Sequence, residues 1–407
     1  MTPDRSLPFR RVAFVMHSGW HFLYQRPHHF AARYKAAGVE TVVFEISGVR
    51  SQLATLLSTE ISREQRDAVH HVWSSIYPYN AAQRFSAVEA IFRPAVESSF
   101  DRFAERWLDE GTLLWLQGVN LVLPPELLLR SRRLAAVADV FDDFAGFFEG
   151  NPRMQARLLA AEETTARGVD LLLTSAARLE DRLAAWNPNT VLVRNGVSGR
   201  FVEAGEAALA RGRRGEGGTV VAYQGAFAEW FDFDLLEAVI DRLPEAEFRL
   251  MGRVYPGVGA RMERLAARPN VRMLGVLAHE DLPAELAAAD VGIIPFRIND
   301  LTLATDPIKL YEYLGAGLPV VSTPMPEVVA REAEGRVRTA ADADRFAEAI
   351  RALAAARWEP SAARARIGLA RENTWDRRFD QVNEAIAARL EATRGGDRGG
   401  PARQAAG

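Results

Sequence analysis

Short apolar segments alternate with helix-forming segments along the whole chain, and this alternation begins twice. The first series opens with RVAFVM at 11–16 and continues through VETVVFEIS and GTLLWLQ to TVLVRNGV. The second series opens with TVVAYQGAF at 219–227 and continues through DVGIIPF. Alternating strands and helices form parallel sheets with right-handed crossovers. The sequence therefore predicts an α/β protein with two successive sheet domains and a cleft between them.

The break between the two series lies at 205–218, a Gly- and Arg-rich stretch without apolar periodicity, which predicts a linker or a surface loop. The chain has 407 residues, enough for two domains of roughly 150–200 residues each. We predict an N-terminal domain at 1–204 and a C-terminal domain at 219–375. A helix is predicted at 376–394, and the Gly-rich tail at 395–407 is expected to be disordered.

The composition excludes several classes of function. The chain has no cysteine, which excludes disulfides, thiol catalysis and cysteine metal sites and fits a reducing compartment. Its formal net charge of −3 gives no general basic field for nucleic acid. No window holds about 18 uninterrupted apolar residues, and the first apolar run is too short for the core of a signal peptide. We therefore expect a cytoplasmic protein without a membrane-spanning helix.

Residues that directly follow strands are the first candidates for a site, because open parallel sheets bind ligands at the carboxyl ends of their strands. In the first half of the chain, His17 follows the first strand, and Asp142 and Asp143 follow a later one. A histidine whose ordinary pKa is near 6.5 could position or deprotonate a hydroxyl, and the alternative is a hydrogen-bonded structural histidine. One aspartate could act as a base or orient an acceptor, and the alternative is N-capping of the next helix.

The stretch TDPIKLYEYLGAGLPVVST at 305–323 predicts a short helix followed by a strand. It contains Lys309, one of only two lysines among 50 basic residues. Asp306 is the expected N-cap, so Lys309 falls in the first turn, where free N–H groups and the helix dipole favour an anion. Glu312 shares a helix face with Lys309, and its carboxylate could accept hydrogen bonds from ribose hydroxyls. The alternative is a solvated Lys–Glu pair at i,i+3.

PIKLYEYLGAGLPVVST resembles the donor-nucleotide motif of bacterial glycosyltransferases with two Rossmann-like domains, the GT-B fold, of the family 1/4-like type. The segments WHFLYQRPHHFAARY (20–34), YQGAFAEWFDFDLL (223–236) and AADVGIIPF (288–296) resemble the same family in the same order. The most similar subgroup is that of cell-surface polysaccharide glycosyltransferases of the teichuronic-acid type. The resemblance covers roughly residues 10–390 and specifies fold and reaction class rather than the sugar.

This resemblance implies a hexosyltransferase-like enzyme that moves a sugar from a UDP- or GDP-sugar to a hydroxyl acceptor, with retention and without a metal or other cofactor. It places Lys309 near the donor diphosphate and Glu312 on the ribose. Gly225 would let the backbone approach the diphosphate, and Arg253 would supply a further cation. Other implied contacts are Thr305 or Asp306 to the donor sugar, and Gly19, Trp20 and Arg26 on the acceptor side, with a structural role as the alternative for Arg26.

Two departures from the family pattern keep other functions open. Many relatives place Arg and Lys in the loop after Gly225, where this chain has Ala226, Glu229 and Trp230. Many retaining members have a second glutamate eight positions before Glu312, where this chain has Ala304. The alternatives are a non-catalytic member that binds a nucleotide sugar, and a sugar-nucleotide epimerase of the same fold.

Two patterns suggest metal binding, and a third suggests membrane contact. Asp232-Phe-Asp234 fits a metal-binding Asp-x-Asp, but its position predicts a helix cap, and the adjacent His28 and His29 lack a carboxylate partner pattern, so no metal is predicted. The expected acceptor is a saccharide or lipid-linked saccharide. The Arg-rich segments 130–133 and 211–214 could contact anionic lipid at the inner membrane face, and the alternative is solvated loops.

Overall fold

The computed structural model describes residues 7–17, 19–20, 24–46, 70–78, 81–82, 85–212, 218–332 and 337–397. Two sheets form the framework, and every pairing between their strands is parallel. The predicted α/β class with two Rossmann-like sheets is confirmed. The strands are β1 Arg11–Met16, β2 Glu40–Glu45, β3 His70–Trp73, β4 Thr112–Gln117, β5 Ala135–Val140, β6 Leu171–Thr174, β7 Thr190–Leu192, β8 Val220–Gln224, β9 Glu247–Met251, β10 Val271–Gly275, β11 Val291–Ile294, β12 Val320–Ser322 and β13 Val337–Thr339.

Helices connect the strands and flank the sheets. In the first half these are α1 Arg26–Ala36, α2 Ser86–Trp107, α3 Pro125–Leu129, α4 Pro152–Gly168 and α5 Ala177–Leu183, with a 3-10 turn at Gly146–Phe148. The next are α6 Gly199–Arg211, α7 Phe233–Arg242, α8 Gly259–Ala266, α9 Leu282–Ala287, α10 Asp300–Leu303 and α11 Ile308–Gly315. The last are α12 Pro326–Glu332, α13 Ala343–Ala356, α14 Pro360–Glu372 and α15 Trp375–Asp397. None of the helices within the described residues is long and apolar enough to cross a membrane.

The central strands are apolar on both faces because helices cover both faces of each sheet. Every residue of β4 and of β5 is buried, which is the pattern expected for interior strands of a parallel sheet. One face of the N-terminal sheet packs around Phe44 and Phe100, and the other packs around Phe14 and Trp115. The C-terminal sheet has its own core.

Each sheet has a point where the strand order reverses. The N-terminal order is β3-β2-β1-β4-β5-β6-β7, and the C-terminal order is β10-β9-β8-β11-β12-β13. The reversals lie between β1 and β4 and between β8 and β11, where the connections leave the sheet on opposite sides and open a crevice at the strand ends. His17 follows β1 and Gly225 follows β8, so both occupy such positions.

The segment 205–218 is not simply a linker, contrary to the prediction. Its first residues belong to α6, which continues to Arg211, while 213–217 lie outside the described residues. The helix buries Phe201, Gly205 and Ala208. A β-carbon on Gly205 would stand 2.2 Å from the carbonyl oxygen of Gly315, so this helix face approaches α11 too closely for a larger side chain. Phe201 also lies against α11, and the small residues that follow it give only a weak apolar pattern within 205–211.

The last helix, α15, lies against the N-terminal domain. Trp375 is 1% exposed and joins the core around Phe14, with its ring 5.8 Å from that of Phe30. The Tyr34 hydroxyl donates to Asn383, and Arg389 donates to the backbone oxygen of Asp170. The helix continues to Asp397, so it includes the start of the segment predicted as a tail, and 398–407 lie outside the described residues.

Candidate active site

The two strand-order reversals face each other across the cleft between the domains. The ring of Phe147, in the 3-10 turn of the N-terminal domain, lies 5.5 Å from the ring of Trp230 in the loop after β8. A β-carbon on Gly146 would lie 3.0 Å from backbone atoms of Leu301 in α10. Asp142 in the N-terminal domain and Lys309 in the C-terminal domain each shift the pKa of the other. The cleft therefore brings groups from both domains to one place.

Lys309 lies in the first turn of α11 and faces aromatic rings. Its Nζ is 4.5 Å from the ring centre of Phe296 and 5.7 Å from that of Tyr223. Within the described residues, this ammonium group has no recorded hydrogen bond or close ion pair. Burial lowers the pKa of Lys309 to about 8, although the charges of Glu312 and Asp142 act to raise it. The arrangement is a cation at a helix N-terminus, held by cation–π contacts and available to an anion.

Gly225 leaves the space that the Lys309 side chain occupies. A β-carbon at this position would stand 3.0 Å from Cε and 3.3 Å from Nζ of Lys309. Gly225 has a backbone φ of +134°, which residues with a side chain rarely adopt. Behind it, a β-carbon on Gly252 would meet the oxygen of Gly225 at 1.8 Å, so the two backbones are in contact. The chain turns here in a way that only glycines permit, and the turn lies directly against Lys309.

Glu312 lies one turn further along α11 and is 5% exposed. Its Oε2 accepts a hydrogen bond from the amide of Gln224 at the end of β8, and its Oε1 is 3.7 Å from Nε2 of His279. The sequence offered a Lys309–Glu312 ion pair as the alternative to a binding site. Within the described residues, the two side chains do not form a close ion pair. Gln224 and His279 were not assigned site roles from the sequence. Gln224 ends a strand, whereas no local pattern marks His279.

His279 belongs to a group of aromatic side chains that joins the two domains. Its ring stacks on Tyr24 at 4.4 Å and lies 5.7 Å from His29, both from the N-terminal domain. His29 in turn stacks on Trp375 at 4.3 Å. Burial lowers the pKa of His29 well below its ordinary value, and the neighbouring His279 adds to this effect. The contact between Glu312 and the N-terminal domain thus passes through His279.

The two adjacent aspartates have different surroundings. Asp142 faces the cleft, where burial raises its pKa to about 7 while the charge of Lys309 and the nearby Thr305 act to lower it. Asp143 is directed instead toward Arg182, at 3.3 Å, and Arg182 also pairs with the buried Glu162. The carboxylate of Asp143 therefore belongs to an internal ion network, which favours a structural role, and its catalytic role stays a prediction. Neither residue caps a helix, since α4 is capped by Asn151.

His17 lies at the reversal of the N-terminal sheet, and its tautomer is fixed. Nδ1 lies 2.8 Å from the backbone oxygen of Gln117. A carbonyl oxygen can only accept, so Nδ1 carries the proton and Nε2 keeps a lone pair. Burial lowers the pKa of His17 to about 4, and its ring packs 4.9 Å from that of Phe144. Near neutral pH this side chain is an uncharged hydrogen-bond acceptor.

Asp306 does not have the role predicted for it. The helix begins at Ile308 with Pro307 as its N-cap, so Asp306 is not the cap. Its carboxylate accepts from the backbone N–H of Asn195 at 2.6 Å and from the hydroxyl of Tyr311 at 3.0 Å. Asp306 is 3% exposed, and burial raises its pKa to about 6. Its carboxylate joins the two domains, and its contact with the donor sugar stays a prediction.

Two of the three residues predicted on the acceptor side are buried, which favours structural roles for them. Trp20 is fully buried, and its ring packs 4.1 Å from that of His28. Arg26 is 1% exposed and pairs through Nε with the buried Asp139 at 2.8 Å, as the structural alternative expected. Gly19 has open space where a β-carbon would lie and stays accessible.

The remaining candidates on the donor side lie near Lys309 but differ in what they offer. Thr305 donates its hydroxyl to the backbone oxygen of Leu301 and acts on Asp142, as described above. Arg253 is half-buried, and its charge lies close enough to Tyr255 to influence the pKa of that phenol. Its backbone oxygen accepts from Phe227 in the loop after β8. Arg253 therefore lies beside the loop that follows Gly225, whereas Thr305 lies beside Asp142.

The Asp-x-Asp pattern is used to stabilise a helix. Asp232 caps α7 by accepting from the backbone N–H of Leu235, and Asp234 pairs with Arg261 at 2.6 Å. Among the described residues, no group of three or more histidine, aspartate and glutamate side chains is placed to hold a metal ion. His28 is 4% exposed, and its Nε2 bonds to the backbone oxygen of Trp20.

The Arg-rich segment 130–133 is engaged within the chain. Arg130 pairs with Asp101 at 2.6 Å, Arg132 pairs with Glu110 at 2.7 Å, and Arg133 donates to the backbone oxygens of Leu129 and Ser131. These contacts favour the solvated-loop alternative for 130–133. Of the second such segment, 211–214, the last two residues lie outside the described residues.

Comparison with known proteins finds a family match in the C-terminal half of the chain. Residues 218–356 match the model of the family described as "Glycosyl transferases group 1". The chain is 28% identical over 149 residues to a Bacillus subtilis (strain 168) protein named "Putative teichuronic acid biosynthesis glycosyltransferase TuaH". That alignment covers 36% of this chain and 38% of TuaH, so the chain spans well under half the length of the curated relative it matches.

Solved structures share the architecture of the whole chain. Anabaena Alr3699/HepE, crystallised with UDP and glucose, superposes with a TM-score of 0.63 at 16% identity over 93% of this chain and 99% of that one. Sucrose-phosphate synthase from Thermosynechococcus elongatus superposes with a TM-score of 0.69 at 17% identity over 94% and 100%. At these identities the likeness establishes the fold. Residues 218–356 therefore resemble the group 1 glycosyltransferases, and the chain as a whole has the GT-B fold.

Proposed function

We propose that this protein transfers a sugar from a UDP- or GDP-sugar to a hydroxyl acceptor, with the donor in the C-terminal domain at 219–375 and the acceptor in the N-terminal domain at 1–204. The observation that carries the proposal is Lys309. It is a cation without a close anionic partner in the described residues, at a helix N-terminus, against the glycine turn after β8. A diphosphate is the anion that such a position suits.

Glu312 extends this site from phosphate to ribose. It lies one helical turn beyond Lys309, so the two α-carbons are separated by roughly 4.5 Å along the axis. A carboxylate can accept from both hydroxyls of a ribose. Gln224 and His279 contact the carboxylate in the structure, so the nucleotide would take the place of one of these partners. This pairing of cation and carboxylate supports a nucleoside diphosphate over a simple phosphate.

In the transfer step, the acceptor oxygen forms a bond to the anomeric carbon, and the bond from that carbon to the diphosphate oxygen breaks. The electron pair leaves with the diphosphate, whose negative charge rises as the bond opens. Lys309 and the positive end of α11 stabilise that charge in a cleft with little water. The acceptor attacks from the face that the diphosphate leaves, so the anomeric configuration is retained. The proton of the acceptor passes to the departing phosphate oxygen, and the step requires no metal.

Two side chains of the N-terminal domain assist the transfer without removing the proton of the acceptor hydroxyl. Neutral His17 offers a lone pair on Nε2, so it can accept a hydrogen bond from the acceptor hydroxyl and orient it. With a pKa of about 4 it is too weak a base to hold the proton near neutral pH. Asp142, with a pKa of about 7, lies opposite Lys309 and keeps that lysine protonated.

A non-catalytic member that only binds a nucleotide sugar is the second candidate. The observation in its favour is the loop after β8, where Glu229 is exposed and Trp230 packs on Phe147 instead of contacting phosphate. Ala304 is buried, so no second carboxylate faces the sugar from that position. A binding protein would hold UDP and the intact donor equally well and release no sugar.

The biological setting we propose is cell-surface polysaccharide or glycolipid synthesis in the cytoplasm, at or near the inner membrane face. The partial likeness to TuaH, a protein named for teichuronic acid biosynthesis, supports this setting. The structure of HepE with UDP and glucose supports UDP as the nucleotide to test first. The acceptor would then be a saccharide or a lipid-linked saccharide.

Incubation with a panel of UDP- and GDP-sugars, with and without saccharide acceptors, tests the proposal. We expect release of the nucleoside diphosphate from one donor, no loss of activity in the presence of a chelator, and a product whose anomeric configuration, read by NMR, matches the donor. The Lys309→Ala variant is the matched control and should bind far less UDP and release almost none. Tight UDP binding by the wild type with no sugar released from any donor would favour the binding-protein candidate.

A further inference from the structure

A cavity of about 340 Å³ lies within the N-terminal domain and has no part in the donor site. Its walls are mainly apolar and come from the loop after β4, the 3-10 turn and α4. They include Val122, Phe144, Phe147, Met154 and Leu158. The volume is within the range of small-molecule sites. His17 also lines this cavity, which places it next to the reacting centre proposed above.

The polar side chains around the cavity are already engaged with one another or with the backbone. Asn120 uses both ends of its amide on backbone groups. Glu89 and Arg157 form an ion pair, and Arg157 also donates to the backbone oxygen of Leu121. Tyr77, the other polar member of the wall, lies close enough to Glu89 and Arg157 for their charges to influence its pKa. The wall therefore offers few free partners to a buried ligand.

Nε2 of His17 differs from these groups because its lone pair is available. As shown above, Nδ1 donates to Gln117, which leaves Nε2 as an acceptor for one hydroxyl. A sugar buried here would present several hydroxyls to a wall that satisfies few of them, and each unpaired group would weaken binding. A ligand with a single hydroxyl-bearing end beside His17 and an apolar body suits the wall better.

We propose that the cavity binds the alkyl part of a glycolipid-type acceptor and places the acceptor hydroxyl beside His17. This inference rests on the proposed function for the identity of the ligand as an acceptor. One water occupies about 30 Å³ of liquid, so the cavity holds on the order of ten methylene-sized groups. It is therefore an alkyl-binding subsite that selects acceptors by their apolar aglycone.

The first test measures the binding of methyl, n-butyl and n-octyl β-glucosides to the wild-type protein saturated with UDP. Calorimetry measures each affinity at glucoside concentrations below the critical micelle concentration. We expect the affinity to rise by up to about fourfold for each methylene that enters the cavity. The methyl and octyl compounds binding with equal affinity would overturn the inference. UDP binding, measured in the same experiment, reports on the proposed function separately, and the comparison of alkyl chains holds whether or not UDP binds.

Two neighbouring leucines of α4 provide a matched pair of variants. Leu158 is 3% exposed and lines the cavity, whereas Leu159 is 37% exposed and does not. Leu158→Phe should fill part of the cavity and abolish the advantage of the octyl over the methyl glucoside. Leu159→Phe should leave that advantage unchanged. A full octyl advantage in Leu158→Phe would place the alkyl site elsewhere and overturn the inference.

A second cavity variant keeps the test decisive if Leu158→Phe fails to fold. Met154 is 9% exposed at the start of α4 and also lines the cavity. Met154→Phe adds bulk from another side of the wall and should reduce the octyl advantage in the same way. The melting temperature and UDP affinity of each variant report whether the domains are intact. If both folded cavity variants keep the octyl advantage, the cavity is not the alkyl subsite.

Discussion

The side chain of Lys309 lies against Gly225, so close that a β-carbon on the glycine would stand 3.0 Å from Cε of the lysine. The two residues come from different elements, the turn after β8 and the first turn of α11. Their contact joins the carboxyl end of a central strand to the N-terminus of a helix. The same point of the fold therefore collects a flexible glycine turn, a helix dipole and an ammonium group, all of which favour a diphosphate.

Gly225→Ala should weaken UDP binding by at least tenfold, because the new methyl group displaces Lys309 and the backbone has a φ of +134°. Calorimetry with UDP measures the effect. Gly257→Ala is the matched control, since Gly257 has a φ of +97° but nothing within 4 Å of its absent β-carbon. The control should lose stability to the same backbone strain and keep its UDP affinity. If both variants lost UDP affinity equally, the contact between Gly225 and Lys309 would not explain the loss.

Replacement of Lys309 should separate charge from shape. Lys309→Ala should lower turnover by two orders of magnitude or more with the fold intact, since removing one donor to a developing charge costs about 100- to 1,000-fold. Lys309→Arg keeps the charge but places a planar fork between the rings of Phe296 and Tyr223, so a partial loss is expected. Steady-state kinetics on the donor measure both. Full activity in Lys309→Arg would mean that the choice of lysine carries no chemical information.

The pH dependence gives an independent signature of the same residue. The pKa of Lys309 is lowered to about 8, so the free enzyme loses this charge as the pH rises above that value. Since kcat/KM reports ionisations of the free enzyme, kcat/KM for the donor should fall above pH of about 8 in the wild type. The fall should be absent in Lys309→Arg, because a guanidinium stays charged in this range. An unchanged alkaline fall in Lys309→Arg would assign it to another group.

Several residues of this candidate site could be located from the sequence, because they directly follow predicted strands. The apolar run TVVAYQ predicted β8, and the rule that ligands bind at carboxyl ends of strands selected Gly225. The helix signal at 307–316 placed Lys309 in a first turn, as observed for α11. Parallel β/α topology brings such ends together without knowledge of any side-chain contact. That is why the fold class and the position of Lys309 in the first turn of α11 could be predicted.

The errors share another physical cause, because they concern contacts between segments that are distant in the chain. Asp306 has the local signature of an N-cap, but the backbone of Asn195 in the other domain binds its carboxylate. His279 has no local signature, and it enters the site by stacking on Tyr24. The face of α6 around Gly205 is made of small residues, because another helix lies against it. Such partners are distant in the chain, and no local spacing encodes them.

Glu312→Gln should weaken the binding of UDP but not of inorganic pyrophosphate. Hydrogen bonds to a charged group contribute about 1.5–3 kcal/mol, so a loss of roughly tenfold to a hundredfold is expected for the nucleotide. Pyrophosphate lacks a ribose and serves as the internal control on the Lys309 side. Calorimetry with both ligands makes the comparison. Unchanged UDP affinity would count against the ribose contact, and a parallel loss for pyrophosphate would indicate a general disturbance of α11.

Asp142→Asn and Asp143→Asn should differ although the residues are adjacent. Burial raises the pKa of Asp142 from 3.8 to about 7 in the folded protein. A raised carboxyl pKa stabilises the folded state below the unfolded value, near pH 4, and this contribution is lost as the pH rises toward 7. Because one pKa unit corresponds to about 1.4 kcal/mol, Asp142 should account for at most about 4 kcal/mol of that decline. Asp142→Asn should remove the share of the decline that belongs to Asp142, as measured by denaturant titrations across this pH range.

The activity of these two variants completes the distinction. The carboxylate of Asp142 helps keep Lys309 protonated, so its removal lowers the lysine pKa further below about 8. The alkaline fall of kcat/KM should therefore move to lower pH in Asp142→Asn. In Asp143→Asn the fall should stay in place while stability declines, because Asp143 pairs with Arg182 rather than facing the cleft. If both variants shift the alkaline fall equally, the two carboxylates act on the site together and the division between them is wrong.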